Sequence, residues 1–219
     1  MLKIVVFDFD GVLVKSNRIK YDAFFELFPE NSKAGSIAKK VLKNHREESR
    51  FFIIRKVVEE LNTGIESKDT SSVIDYYVNK YGNIVESNVA TVSEIPGAGN
   101  CLNELCLSYG LYLISSTPFD SLMRVIKTRS MENYFKRIYG FPMTKIKCLD
   151  EILKTENISP EEVLVIGDGL VDLEMAKYFG CNFVGVKNEF NSLEEQAVTL
   201  ISTLQELSPL IKSTYEYGK

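Results

Sequence analysis

The apolar run Ile4 to Phe7, followed at once by Asp8-Phe9-Asp10-Gly11, constrains this chain more than any other feature. A short continuous apolar run reads as a strand buried on both faces, the kind found inside parallel sheets. Residues i and i+2 of a strand point the same way, so Asp8 and Asp10 bring two carboxylates to one side of the strand's end. Like charges that close repel, and the fold must answer them with a cation or a proton. A surface acid pair would not cap a buried strand; this one asks for a metal and a nucleophile. Val163 to Gly167 is a second apolar strand, and Asp168-Gly169-Leu170-Val171-Asp172 follows it. A helix beginning here would put Asp168 and Asp172 on one face. Open parallel sheets bind ligands beyond the carboxyl ends of their strands. The two acidic strand ends are therefore expected to converge in an oxygen-rich site that suits Mg²⁺ better than a soft metal.

The rest of the composition removes alternatives. The 219 residues can bury a real core, and 45% hydrophobic with 26% charged content is that of an ordinary soluble protein. A net charge of −4 with acids and bases interspersed argues against nucleic acid as a partner. No apolar stretch approaches transmembrane length, so no membrane partner is expected. Asp8 and Asp10 interrupt the first apolar segment, which excludes a signal peptide there. Cys101, Cys106, Cys148 and Cys181 show neither Cys-x-x-Cys nor zinc spacing, and are expected as reduced core residues of a cytoplasmic protein. His45 is the only histidine, which removes Ser-His-Asp and Cys-His catalysis and any histidine metal cluster.

Three more strands are expected at Gly110–Ile114, Arg137–Gly140 and Cys181–Val186. Helical periods lie between them: Leu102, Leu105, Cys106 and Tyr109; Leu122, Val125, Ile126 and Arg129; Ile146, Leu149, Ile152 and Leu153; Leu173, Ala176, Lys177 and Gly180. Strand alternating with helix means a parallel α/β sheet with right-handed crossovers. Residues 15–87 break that rhythm. Tyr21, Phe24, Phe25 and Phe28, then Val41 and Leu42, then Phe51, Ile54, Val57, Val58 and Leu61, then Val73, Tyr76, Tyr77 and Tyr81 repeat at helical spacing. This is a helical domain (15–87) inserted after the first strand of an α/β core made of 1–14 and 88–219.

Four motifs in order give the chain a clear resemblance to the haloacid dehalogenase-like hydrolase superfamily. Asp8-Phe9-Asp10-Gly11-Val12-Leu13 resembles its first motif and Ser115-Ser116-Thr117-Pro118 its second. Lys145 resembles the lysine of its third, and Gly167 to Asp172 its fourth. The helical insert is similar to the family's type 1 α-helical cap, as in phosphoglycolate-phosphatase-like and β-phosphoglucomutase-like members. The resemblance implies a doubly wound, Rossmannoid parallel-sheet core. It implies a Mg²⁺-dependent phosphatase that hydrolyses a small phosphorylated metabolite through an aspartyl-phosphate. Its alternatives are a sugar phosphomutase and a catalytically weak binding or regulatory protein.

The implied roles follow residue by residue. Asp8 is the nucleophile, and Asp10 the acid that protonates the leaving oxygen and then activates water. Ser115 donates its hydroxyl to a phosphate oxygen, with the Ser116 N–H beside it. Lys145 neutralises Asp8 and the transferring phosphoryl group, and Lys147 competes for that part. Asp8, the Asp10 carbonyl and Asp168 hold the metal, and Asp172 either binds it through water or orients Lys145. An Asp-x-Asp pair also opens a calcium loop, but the third oxygen ligand, the glycine and the closing glutamate of that loop are missing here. Gly97-Ala98-Gly99 lacks the Lys-Ser/Thr of a phosphate loop and reads as a helix start. Arg46, Arg50, Arg55 and Lys56 are the helical-domain cations that could meet a substrate, Arg50 foremost.

Overall fold

The computed structural model describes residues 1–45, 48–62, 70–190 and 193–216; Arg46 lies outside them. The chain divides into two compact units, Met1–Ser16 with Val92–Lys219, and Asn17–Thr91.

In the first unit, six strands among the described residues form one sheet: β1 (Ile4–Phe7), β2 (Gly110–Pro118), β3 (Arg137–Phe141), β4 (Val163–Gly167), β5 (Asn182–Val186) and β6 (Thr199–Ile201). Their order is β3-β2-β1-β4-β5-β6, and every neighbouring pair is parallel. The strand that carries the aspartate pair is thus central, with the ends of β2 and β4 beside its own. Every residue of β1 and β4 is buried, as a strand covered on both faces requires. Between the strands run α5 (Ala98–Leu105), α6 (Phe119–Thr128), α7 (Lys145–Glu156) and α8 (Leu170–Phe179); the four helices that precede them in the chain belong to the second unit. One core layer packs Ile4, Val6, Tyr112, Ile114 and Val165 against Cys148, Leu149 and Ile152 of α7 and Met175 and Ala176 of α8. Each aliphatic side chain so buried contributes about 1.5–3 kcal/mol.

The second unit is helical: α1 (Asn17–Leu27), α2 (Lys33–Asn44), α3 (Arg50–Leu61) and α4 (Thr70–Val89). Ser32 caps α2 by accepting from the Gly35 N–H at 3.0 Å, and Ser49 caps α3 by accepting from the Phe52 N–H at 3.3 Å. Phe24, Val41, Leu42, Ile54, Val57, Val58 and Tyr81 are buried. Tyr81 stacks on Phe24 at 4.5 Å and donates its hydroxyl to the Lys20 carbonyl at 2.9 Å, which gives its polar end a partner.

Several expectations need correction. Cys106 is exposed, not core: α5 stops at Leu105 and Cys106 is its C-cap. Ile146 is 43% and Tyr76 59% exposed although both fall on apolar helical periods; in α7 the buried positions are Lys145, Cys148, Leu149 and Ile152. Val73 is exposed as well. The second strand continues through Ser115-Ser116-Thr117-Pro118, beyond the expected end at Ile114, and β6 has no counterpart among the expected strands.

Candidate active site

The end of β1 is pinned from the side. The Asp8 N–H donates to the Ile166 carbonyl of β4 at 2.9 Å, which fixes where its carboxylate emerges. Gly11 then turns the chain with φ 77°, a left-handed conformation that costs glycine little, and its N–H closes onto the Val14 carbonyl at 2.9 Å. Asp8 and Asp10 are both buried.

Lys145 answers the first carboxylate. Thr144 caps α7, so Lys145 opens the helix, and it is 9% exposed. Its Nζ donates to Asp172 Oδ1 at 2.6 Å and lies 3.1 Å from Asp8 Oδ1. Burial opposes the lysine's charge, but Asp172 and Asp8 outweigh it and hold the ammonium protonated beyond its ordinary range. Lys147, the competing candidate, is exposed, and its own N–H is directed at Thr144 Oγ1.

Asp172 is thereby placed against the lysine; its other oxygen accepts from the Gly169 N–H at 3.4 Å. Of the two roles open to it, orienting Lys145 is the one this contact serves. Glycine at 167 makes the approach possible: a Cβ there would stand 2.2 Å from Asp172 Cβ. The helix begins at Leu170, so Asp168 precedes it instead of sharing its face with Asp172. One carboxylate oxygen each of Asp8, Asp168 and Asp172 still falls within 4.8 Å of the others.

Asp10 is held by hydroxyls. Ser16 Oγ donates to its Oδ1 at 2.7 Å and Thr117 Oγ1 to its Oδ2 at 2.9 Å. Ser115 Oγ stands 3.5 Å from Oδ2 and accepts from the Thr117 N–H at 3.1 Å. Ser115 is buried, whereas the neighbouring Ser116 is exposed. Ser16 and Thr117 were not singled out in the sequence. Thr117 lies inside the serine-rich stretch and could have been; Ser16, a fully buried hydroxyl just beyond Val12-Leu13-Val14, carries no local signal. Asn188, which donates to Asp168 Oδ2 at 2.9 Å, was also missed. Arg50 belongs to the helical unit, where its guanidinium lies over the Tyr81 ring at 5.4 Å. That stacking accounts for its position by packing.

Burial pushes the Asp8 carboxyl up to about 8; Lys145 pulls it down, while Asp172, Asp168 and Asp10 push it further up. An unfolded aspartate titrates near about 3.9. Between those values the folded, metal-free chain holds a proton that the unfolded chain has released. Asp8 therefore contributes stability at low pH that is lost as pH rises toward about 8. In chelator, the wild-type Tm is expected to fall between about pH 5 and about pH 8 more steeply than that of Asp8→Asn. Thermal melts of the two proteins check this, and parallel curves would refute it.

A single oxygen-rich centre is thus assembled from the ends of β1, β2 and β4 and the first turns of α7 and α8. The sequence profile of the haloacid dehalogenase-like hydrolases matches residues 5–186, and the chain belongs to that family. No curated protein sequence matches it. Solved structures share the fold at low identity. One is described as a predicted phosphoglycolate phosphatase from Haemophilus somnus 129PT, with TM-score 0.76 and 16% identity over 95% of this chain and 97% of that one. A haloacid dehalogenase-type hydrolase from Bacillus subtilis, solved bound to magnesium, has TM-score 0.68 and 16% identity over 96% and 98%. A Thermotoga maritima protein assigned as a β-phosphoglucomutase has TM-score 0.69 and 22% identity over 97% and 100%. No helix among the described residues is long and apolar enough to cross a membrane.

Proposed function

We propose that this hydrolase is a Mg²⁺-dependent phosphatase that acts on a small phosphate monoester through an aspartyl-phosphate at Asp8. The observation that carries the reading is the pairing of two differently treated carboxylates two residues apart. Asp8 faces a buried ammonium at 3.1 Å; Asp10 faces neutral hydroxyls at 2.7 and 2.9 Å. A nucleophile needs to be ionised; burial opposes that form of Asp8, Lys145 pulls toward it, and a bound divalent cation would add to that pull. An acid–base group must hold and release a proton, and hydroxyl partners tolerate either state of Asp10.

In the first step Asp8 attacks phosphorus, the bond to the leaving oxygen breaks, and Asp10 gives that oxygen its proton. In the second, Asp10 takes a proton from water, the water oxygen attacks phosphorus, and the Asp8–phosphorus bond breaks to release inorganic phosphate. Lys145 offsets negative charge on Asp8 and on the phosphoryl oxygens as it develops. The Ser115 hydroxyl and Ser116 N–H are the proposed donors to the remaining phosphate oxygens.

The donor set fits a hard divalent cation: the clustered ligand atoms of Asp8, Asp168 and Asp172 are all carboxylate oxygens, and burial first, then the nearby Asp172 and Asp168, raise the Asp8 pKa. Asp8, Asp168 and the Asp10 carbonyl would hold it, with Asp172 turned to Lys145. When bound, Mg²⁺ would polarise a phosphate oxygen and screen the nucleophile from the charge it attacks. The helical unit, on this reading, supplies the residues that select the leaving group.

Phosphate release across a panel of sugar, glycolate, nucleotide and polyol phosphates tests the proposal. We expect release from at least one small ester, lost in excess chelator and restored by Mg²⁺. Full activity in chelator would exclude the metal-dependent reading. Interconversion of sugar phosphate isomers without net release would favour the phosphomutase.

A further inference from the structure

The loop that leaves β5 reaches back to Asp168. Asn188 Nδ2 donates to Asp168 Oδ2 at 2.9 Å across 20 residues of sequence, and Asn188 Oδ1 accepts from the Phe190 N–H at 2.8 Å. The second bond settles which end of the amide is which. A backbone N–H can be met only by the amide oxygen, so the NH₂ group must face the carboxylate. The amide is therefore tied at both ends and presents its NH₂ group to one oxygen of the Asp168 carboxylate.

We propose that Asn188 is a positioning residue that makes Asp168 a one-oxygen ligand and so favours Mg²⁺ over Ca²⁺ at the site. The inference rests on the Mg²⁺ reading above and extends it to a residue outside all four motifs. With one lone pair of Oδ2 and its direction taken by Asn188, Asp168 has less freedom to turn both oxygens onto one cation. Ca²⁺ accepts two-oxygen carboxylate ligands and irregular geometry; Mg²⁺ demands near-octahedral geometry with shorter bonds. Holding Asp168 to one oxygen therefore penalises the larger ion selectively. The chemistry of the donor matters too. A lysine in place of Asn188 would cancel the charge that attracts the metal, whereas a neutral amide orients the carboxylate and leaves its charge intact.

Calorimetric titration of the metal-free full chain with Mg²⁺ and with Ca²⁺ tests this without reference to turnover. In Asn188→Ala the Mg²⁺ dissociation constant is expected to rise about 10–100-fold, the usual loss when a ligand's supporting partner is removed. The Ca²⁺ constant should rise by a smaller factor, so the preference for Mg²⁺ narrows. Asn188→Ser, which keeps a short neutral donor, should fall between wild type and Asn188→Ala. Unchanged Mg²⁺ affinity in Asn188→Ala would overturn the inference, as would an equal loss for both ions, which is what a merely structural role produces. A wild-type chain that binds neither ion would instead refute the Mg²⁺ reading on which the inference stands.

Discussion

Asp8→Asn is expected to lower turnover of every phosphate monoester the protein hydrolyses by at least about 10⁴-fold, the scale on which removing a covalent nucleophile acts. Asparagine keeps the shape of the side chain and loses the anionic oxygen that would attack phosphorus. The fold should tolerate the change, because burial first, then Asp172, Asp168 and Asp10, already oppose ionisation of Asp8, and asparagine cannot ionise. Lys145 keeps its hydrogen bond to Asp172 at 2.6 Å, so the ammonium is not left unpaired. Two measurements separate loss of chemistry from loss of structure. Steady-state turnover should collapse, while the melting temperature in chelator near neutral pH should hold or rise. Rapid-quench experiments should trap acid-stable phosphoprotein in the wild type and none in Asp8→Asn. Turnover at the wild-type rate in Asp8→Asn would eliminate the aspartyl-phosphate route.

The parts of the site that were legible in the sequence are those whose signal is local. Ile4–Phe7 and Val163–Gly167 coincide with β1 and β4 because a strand buried on both faces has no polar alternation to blur its ends. The aspartates stand where those strands stop, so reading the strands located the acids. Lys145 over Lys147 could not be settled by spacing alone. In the structure the Thr144 cap fixes the phase of α7, and Lys145, not Lys147, is the lysine turned inward between Asp8 and Asp172.

What stayed hidden is set by tertiary neighbours. The Thr117–Asp10 bond spans 107 residues, and it exists because β2 lies directly beside β1. Strand order of that kind leaves no trace in local periodicity. Asn188 depends in the same way on β5 pairing with β4. The strand β6 has three residues, too few for any pattern to register. Ile146 and Tyr76 fit an apolar period and are nonetheless exposed, since a helical period identifies a possible face without saying what covers it.

Asp10→Asn should separate the two chemical steps. Loss of a positioned acid and base costs about 10²–10⁴-fold, and the penalty should depend on the leaving group. Alkyl phosphates leave as basic alkoxides that need a proton, so phosphorylation of Asp8 should slow by the full factor. Aryl phosphates with electron-withdrawing rings leave without that help, and their first step should be nearly spared. Breakdown of the phosphoenzyme needs Asp10 as base whatever ester formed it. With an activated aryl phosphate the variant should therefore release one equivalent of phenol in a burst and then stall, with phosphoprotein accumulating. The metal should still bind, because the Asp10 contribution to it is a backbone carbonyl. Asparagine can still accept from one of the two hydroxyls at 2.7 and 2.9 Å, so the side chain should keep its place and the loss should be chemical, not structural. The measurement is stopped-flow phenol release alongside steady-state kcat for one alkyl and one activated aryl ester. Slowing of the aryl burst by the same factor as kcat falls on the alkyl ester would remove Asp10 from protonation of the leaving oxygen, and wild-type kcat on the alkyl ester would remove it from the mechanism.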